Sequence, residues 1–320
     1  MAGVITDVEG ISVGHVSDFE GLTGLTAILC GEGAVGGVDI RGSASGTREL
    51  DALTPLHLVE KVHGLLLAGG SAFGLEAAGG LMQYLEERGI GFDVGVTKVP
   101  IVPAAILFDL KIGDFRARPD KAMGYQACLN ASREVEEGSV GAGTGATVGK
   151  LFGVEYAMKG GLGTSSLKLS GGIIVGALVV VNAFGDVVDP PTGRILAGTR
   201  DPKDGRTLPG TASLMKAGVR RKAFAGENTT LAVAATNVIL TKVEATKVAQ
   251  MGHDGLARVI SPVHTTVDGD VVFALSTGKV PGDVNAIGQG AAEAIAEAVV
   301  RAIKKARGLG GIPAYADLAT

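Results

Sequence analysis

Several things that would mark a metalloprotein, a secreted protein or a membrane protein are scarce or missing in this chain. It has two cysteines, Cys30 and Cys128, too few and too far apart for a disulfide framework or a cysteine metal site. Its five histidines, His15, His57, His63, His253 and His264, form no H-E-x-x-H motif and no close pair, so no zinc site is expected, and no other cofactor is implied. The longest apolar run, 173–184, is broken by Gly176 and Asn182 and falls short of the roughly 20 residues that a membrane span needs. The opening residues Met1-Ala2-Gly3-Val4-Ile5-Thr6-Asp7 show no basic region followed by an apolar one, so no secretory signal is expected. There is no basic block, and the net charge is −4, which argues against nucleic acid as a partner. These absences make the cytoplasm the expected compartment.

What is present is apolar and rich in glycine. Hydrophobic residues make up 46% of 320 and charged residues 19%, enough for a sizeable core, and 1–320 reads as a single domain. Glycine accounts for 51 residues, about twice its usual share, in pairs and small clusters without a Gly-X-Y period. That pattern implies tight turns and backbone packed on backbone. Mean hydropathy is high, at +0.34. With no membrane segment, the surplus points to subunit interfaces and a homo-oligomer.

Strand-like runs are numerous: 11–16, 26–30, 64–67, 101–108, 172–181, 231–235 and 271–275. Many are apolar on both faces, as strands buried between two layers are. Helical spacing is clear over 73–87, 241–260 and 283–307, the last with Asp283 placed to cap its start and Lys304, Lys305 and Arg307 suited to its end. A polar stretch rich in Gly and Lys, 199–227, reads as a surface excursion. Strands and helices without regular βαβ alternation indicate a layered α+β domain.

Familiar motifs mostly fail on context. Gly141-Ala142-Gly143-Thr144-Gly145-Ala146 fits a dinucleotide fingerprint, but no buried strand precedes it and no helix follows. Gly149-Lys150 resembles a phosphate loop without its first glycine or its Ser/Thr. Gly69-Gly70-Ser71-Ala72-Phe73 lacks the second glycine of a nucleophile elbow and reads as a helix start. Asp268-Gly269-Asp270 carries a hairpin-turn signal, yet carboxylates two residues apart also point to one side of a strand, so a turn and a site both stay open.

The most informative stretch is Asn228-Thr229-Thr230-Leu231-Ala232-Val233-Ala234-Ala235-Thr236-Asn237, where polar residues run straight into an apolar strand. Strand-edge threonines chosen for β-propensity are one reading. Another is a nucleophile held at the start of a core strand. If the chain breaks between Asn228 and Thr229, Thr229 carries both a hydroxyl nucleophile and an amine able to serve as its base. The polar segment before it gives the released end room to move away.

These segments together resemble a family. Leu67-Ala68-Gly69-Gly70-Ser71-Ala72-Phe73-Gly74-Leu75-Glu76, Pro119-Asp120-Lys121-Ala122, 141–150, Val179-Val180-Val181-Asn182, 228–237 and 264–273 are similar, in order, to the self-cleaving aminopeptidases typified by L-aminopeptidase D-amidase/D-esterase and the β-aminopeptidases. Within that group the chain looks closest to the branch of the nylon-oligomer (6-aminohexanoate oligomer) endo-hydrolase and pantetheine hydrolase, which use threonine. The resemblance implies a four-layer αββα sandwich, similar to N-terminal-nucleophile hydrolases but differently connected. It also implies a homotetramer, a small peptide or amide substrate, and self-cleavage into 1–228 and 229–320. By position it makes Thr229 the nucleophile, Asn228 the residue before the cut, Lys150 a lysine beside the nucleophile, Asn182 an oxyanion donor, and Asp268 and Asp270 the acidic pair. Lys150 would lower the pKa of the Thr229 amine by like-charge repulsion, and the two aspartates would hold both groups in place. Phe108 stands where relatives place a tyrosine, so the pocket lacks that phenol. An uncleaved, inactive member serving as a binding or scaffold oligomer is the rival reading.

Overall fold

The computed structural model describes residues 3–220 and 228–318; the last part of the polar excursion, 221–227, lies outside the described residues. Its main sheet has nine strands: β1 (Ile11–Asp18), β2 (Thr23–Ile40), β3 (Gly46–Arg48), β4 (Lys61–Ala68), β5 (Ala104–Ile106), β6 (Gly161–Lys168), β7 (Ile174–Asn182), β8 (Thr229–Val238) and β9 (Val271–Val280). Their order is β6-β7-β8-β9-β2-β4-β5-β3, with β1 paired to β2. The β8/β9 and β4/β5 pairs are parallel and the other pairs antiparallel. β2 is 18 residues long. Its second half pairs with β9, and its first half pairs with β1 and β4, so one strand joins the two halves of the sheet.

Strand alternation builds the layers. On β8, Leu231, Val233 and Ala235 join Ile28, Leu65, Leu67, Leu178, Val180 and Phe273 in a central apolar layer. Ala232 and Ala234 point the other way, onto helices α3 (Lys242–Val259) and α4 (Val284–Lys305). On the far half, Leu25, Ala27 and Leu66 pack against α1 (Ala78–Glu86) and α2 (Lys121–Leu129). The result is helices, sheet, sheet, helices: the four-layer αββα arrangement. Each fully buried Val, Leu, Ile or Phe contributes roughly 1.5–3 kcal/mol, and all three faces of contact are built this way. The glycine surplus lets backbones approach: a Cβ on Gly163 would lie 2.1 Å from Ala298 O of α4, and one on Gly255 would lie 2.3 Å from Ala292 O.

Helix ends follow the sequence. Thr241 and Glu244 form a capping box at the start of α3, and Asp283 accepts from Asn285 N at the start of α4. Elsewhere the details differ. The segment expected to be one helix over 73–87 begins as a 3-10 turn, Ser71–Ala77, before α1. The excursion 199–227 contains a short helix, Thr211–Lys216, which local polarity concealed. The Asp268-Gly269 hairpin turn is not formed. The turn comes earlier, where Asp268 N bonds Thr265 O at 3.1 Å, and 268–270 run on as extended backbone into β9. No helix among the described residues is long and apolar enough to cross a membrane.

Candidate active site

Thr229 is the first residue of β8 and pairs with Asn182, the last residue of β7. The alternation that turns Leu231 and Val233 toward the central layer turns Thr229 the same way, and sends Thr230 to the helix side with Ala232 and Ala234. Both threonines and Asn228 are buried. The Thr229 hydroxyl donates to Asn228 O at 2.6 Å, so the hydroxyl and the preceding carbonyl are in contact. The same oxygen accepts from Gly269 N at 2.8 Å. This second bond exists because Asn228 and Asp268 form a parallel bridge that continues the β8/β9 register three residues before its first pair, Leu231 and Val271.

Lys150 reaches the site by backbone pairing. Gly149 N and Lys150 N bond Gly185 O and Phe184 O, both at 3.1 Å, which lays 149–150 beside the end of β7. Gly149 has φ +74°, and a Cβ there would meet Gly198 C at 2.0 Å, so this approach needs glycine. The buried Lys150 ammonium then donates to Asn182 O at 3.0 Å and Asn182 Oδ1 at 2.8 Å. Asn182 Oδ1 also accepts from Thr147 N at 3.0 Å, and its Nδ2 donates to Phe108 O at 3.2 Å. With Oδ1 committed to these donors, the amide nitrogen faces the Phe108 side. There Phe108, Asp109, Lys111, Ile112, Thr147, Lys150 and Val154 line a narrow cleft of about 10 Å³, room for about one water molecule.

The two aspartates act on backbone. Asp270 accepts from Thr230 N at 2.7 Å and from His264 Nδ1 at 2.8 Å. Asp268 accepts from Phe184 N at 3.0 Å, from Thr265 N at 3.2 Å and from the Thr265 hydroxyl. They therefore pin the ends of the strands that carry Thr229 and Asn182. Burial, and then repulsion from Asp270, pushes the Asp268 carboxyl up to about 6, while its Thr265 and Phe184 donors pull it down.

A rate–pH profile tests this. If the charged Asp268 supports the site, activity falls as pH drops through about 6, because the proton then binds. Thr265→Val removes a donor that favours the charged form and should move that acid limb to higher pH. A limb unmoved by the change would show that another group titrates.

The sequence profile described as "Peptidase family S58" matches residues 3–315. The chain belongs to peptidase family S58. It is a hydrolase of peptide or linear amide bonds. It is 43% identical over 343 residues to an uncharacterised aminopeptidase of Mycobacterium tuberculosis (strain ATCC 25618 / H37Rv), covering 98% of this chain and 97% of the relative. It is 32% identical over 280 residues to the 6-aminohexanoate-oligomer endohydrolase of Paenarthrobacter ureafaciens, covering 86% and 75%. Among solved structures, the L-aminopeptidase D-Ala-esterase/amidase of Ochrobactrum anthropi, described as a variant of the Ntn hydrolase fold, superposes with a TM-score of 0.74. It is 20% identical and covers 98% of this chain and 90% of that one, a likeness of fold.

For this S58 member, the residues singled out in the sequence, Asn228, Thr229, Lys150, Asn182, Asp268, Asp270 and Phe108, converge on one place. Sequence reasoning missed their supports. His264 looked isolated, but its ring packs edge-on against His253, centroids 4.7 Å apart, beside Asp270. Burial pulls His253 down to about 4. Lys159 is wholly buried and donates to Thr144 O at 2.7 Å and Ala146 O at 2.8 Å, bracing the segment that leads to Thr147; burial lowers it to about 7. No local pattern marks a buried lysine of this kind. Among the described residues, no group of three or more His, Cys, Asp or Glu is placed to hold a metal.

Proposed function

We propose that the chain cuts its own Asn228–Thr229 bond and that Thr229, then an N-terminal residue, is the nucleophile of an aminopeptidase or amidase for short peptides or linear amides. The observation that carries this is the contact of the Thr229 hydroxyl with the Asn228 carbonyl at 2.6 Å inside a buried cluster. Once cut, Thr229 Oγ1 attacks a substrate carbonyl, and the Thr229 amine takes the proton. Asn182 Nδ2 has two protons, so one can stay on Phe108 O while the other serves the developing oxyanion. The Lys150 charge, held close by Asn182, disfavours a protonated Thr229 amine and keeps the base free. Asp268 and Asp270 hold the surrounding backbone.

Turnover of a panel of p-nitroanilides, dipeptides and short linear amides tests the function. We expect hydrolysis of at least one class by cleaved protein. A chain that stays uncleaved and is inert to all of them would favour the binding or scaffold role.

We also propose a homotetramer in the cytoplasm. Leu56, Leu58 and Val96 are 99%, 80% and 92% exposed, apolar surface of the kind that subunits cover. The two cysteines are free and buried, as a reducing compartment allows. Light scattering that reports a monomer at micromolar concentration would sink the assembly claim.

A further inference from the structure

We infer that the backbone N–H of Gly269 is the oxyanion donor of the self-cleavage step, a role that rests on the Asn228–Thr229 reading above. In that step Thr229 Oγ1 forms a bond to the Asn228 carbonyl carbon. The bond from that carbon to Thr229 N breaks, and the proton lost by the hydroxyl ends on this nitrogen as it becomes an amine. Water then hydrolyses the resulting ester, leaving an Asn228 carboxylate and a free Thr229 hydroxyl. Negative charge develops first on Asn228 O.

Two donors meet that oxygen, the Thr229 hydroxyl at 2.6 Å and Gly269 N at 2.8 Å. The hydroxyl must give up its proton to attack, so it cannot serve as donor to the charge it creates. Gly269 N–H remains, at the distance an oxyanion donor requires. It is fixed from both sides. Ala44 N bonds Asp268 O at 2.9 Å, and the side chains of Asp268 and Asp270 are tied to Phe184 N and Thr230 N. The two carboxylates are therefore positioning residues for this peptide unit as well as for the strand ends.

The glycine is required by contact. A Cβ at 269 would lie 2.5 Å from Ala44 O and 2.9 Å from Thr229 Oγ1, on the attacking atom itself.

The test replaces the donor without adding atoms. Glycolic acid at position 269, introduced by cell-free translation, turns the amide into an ester and removes the N–H. Precursor decay is followed by intact mass, and folding by the unfolding midpoint. The ester chain should fold and cleave at 228–229 about 10²–10³-fold more slowly than wild type. Gly269→Ala keeps the N–H but crowds the hydroxyl and should also slow the cut; should it fail to fold, the ester chain decides. A folded ester chain that cleaves at the wild-type rate overturns the assignment of Gly269 alone. A wild-type chain that stays whole, or a Thr229→Ala chain that still breaks at 228–229, overturns the cleavage reading and this inference with it.

Discussion

Thr229→Ala is expected to leave the chain whole and unable to hydrolyse any amide. In the proposed scheme one hydroxyl serves both reactions: it contacts the Asn228 carbonyl, which it would attack in the cut, and would be the nucleophile of hydrolysis afterwards. Removing it abolishes both, whereas Thr229→Ser keeps a hydroxyl and an amine and should retain part of each. Thr230→Ala is the control. Its side chain lies on the helix side of β8, and its buried hydroxyl has no hydrogen-bond partner, so its loss removes an uncompensated polar atom. Processed fraction and amidase rate, measured together for the three variants, separate neighbouring threonines. An active Thr229→Ala beside a dead Thr230→Ala would move the nucleophile by one residue.

Asn182→Ala is expected to lower kcat per cleaved chain by about 10²–10³-fold if its amide is the oxyanion donor in hydrolysis. It should also cost stability. Asn182 is wholly buried, and Oδ1 accepts from Lys150 Nζ and Thr147 N, so the change strips a buried ammonium of an acceptor, a loss of about 1–3 kcal/mol. Asn182→Asp divides the two roles. It keeps an acceptor for Lys150 and removes the amide donor, so the rate should fall as far as in Asn182→Ala although the Lys150 acceptor is kept, with a stability cost confined to the lost bond to Phe108 O. If Asn182→Asp turns over at the wild-type rate, the oxyanion role belongs elsewhere.

How much of this was legible in the sequence depends on the range of each interaction. Helices α3 and α4 were, because their caps and apolar spacing are local. The strand of Thr229 was legible in part: the apolar run 231–235 marks its centre, and the structure extends it to Thr229–Val238. Six of the site's residues, Asn228, Thr229, Lys150, Asn182, Asp268 and Asp270, were named by position in a family pattern, but what they touch was not. Asp268 and Asp270 were expected to hold Thr229 and Lys150; Asp270 meets Thr230 N instead, and Asp268 meets Phe184 N. The Asp-Gly turn signal misled because Thr265 made the turn first, and parallel pairing with Asn228 kept 268–270 extended. The Gly269 bond to the Asn228 carbonyl depends on that register between segments some forty residues apart, which no local pattern encodes. Buried Lys159 is held by carbonyls of Thr144 and Ala146, partners that carry no residue-type signal.

The central claim is that one specific peptide bond is consumed to create the nucleophile. Intact mass of the purified chain under denaturing conditions, followed over time and joined to N-terminal sequencing, tests it most directly. The account predicts two species, 1–228 and 229–320, the second beginning Thr-Thr-Leu-Ala-Val. A single full-length species after long incubation, in a preparation that nonetheless hydrolyses amides, would contradict it.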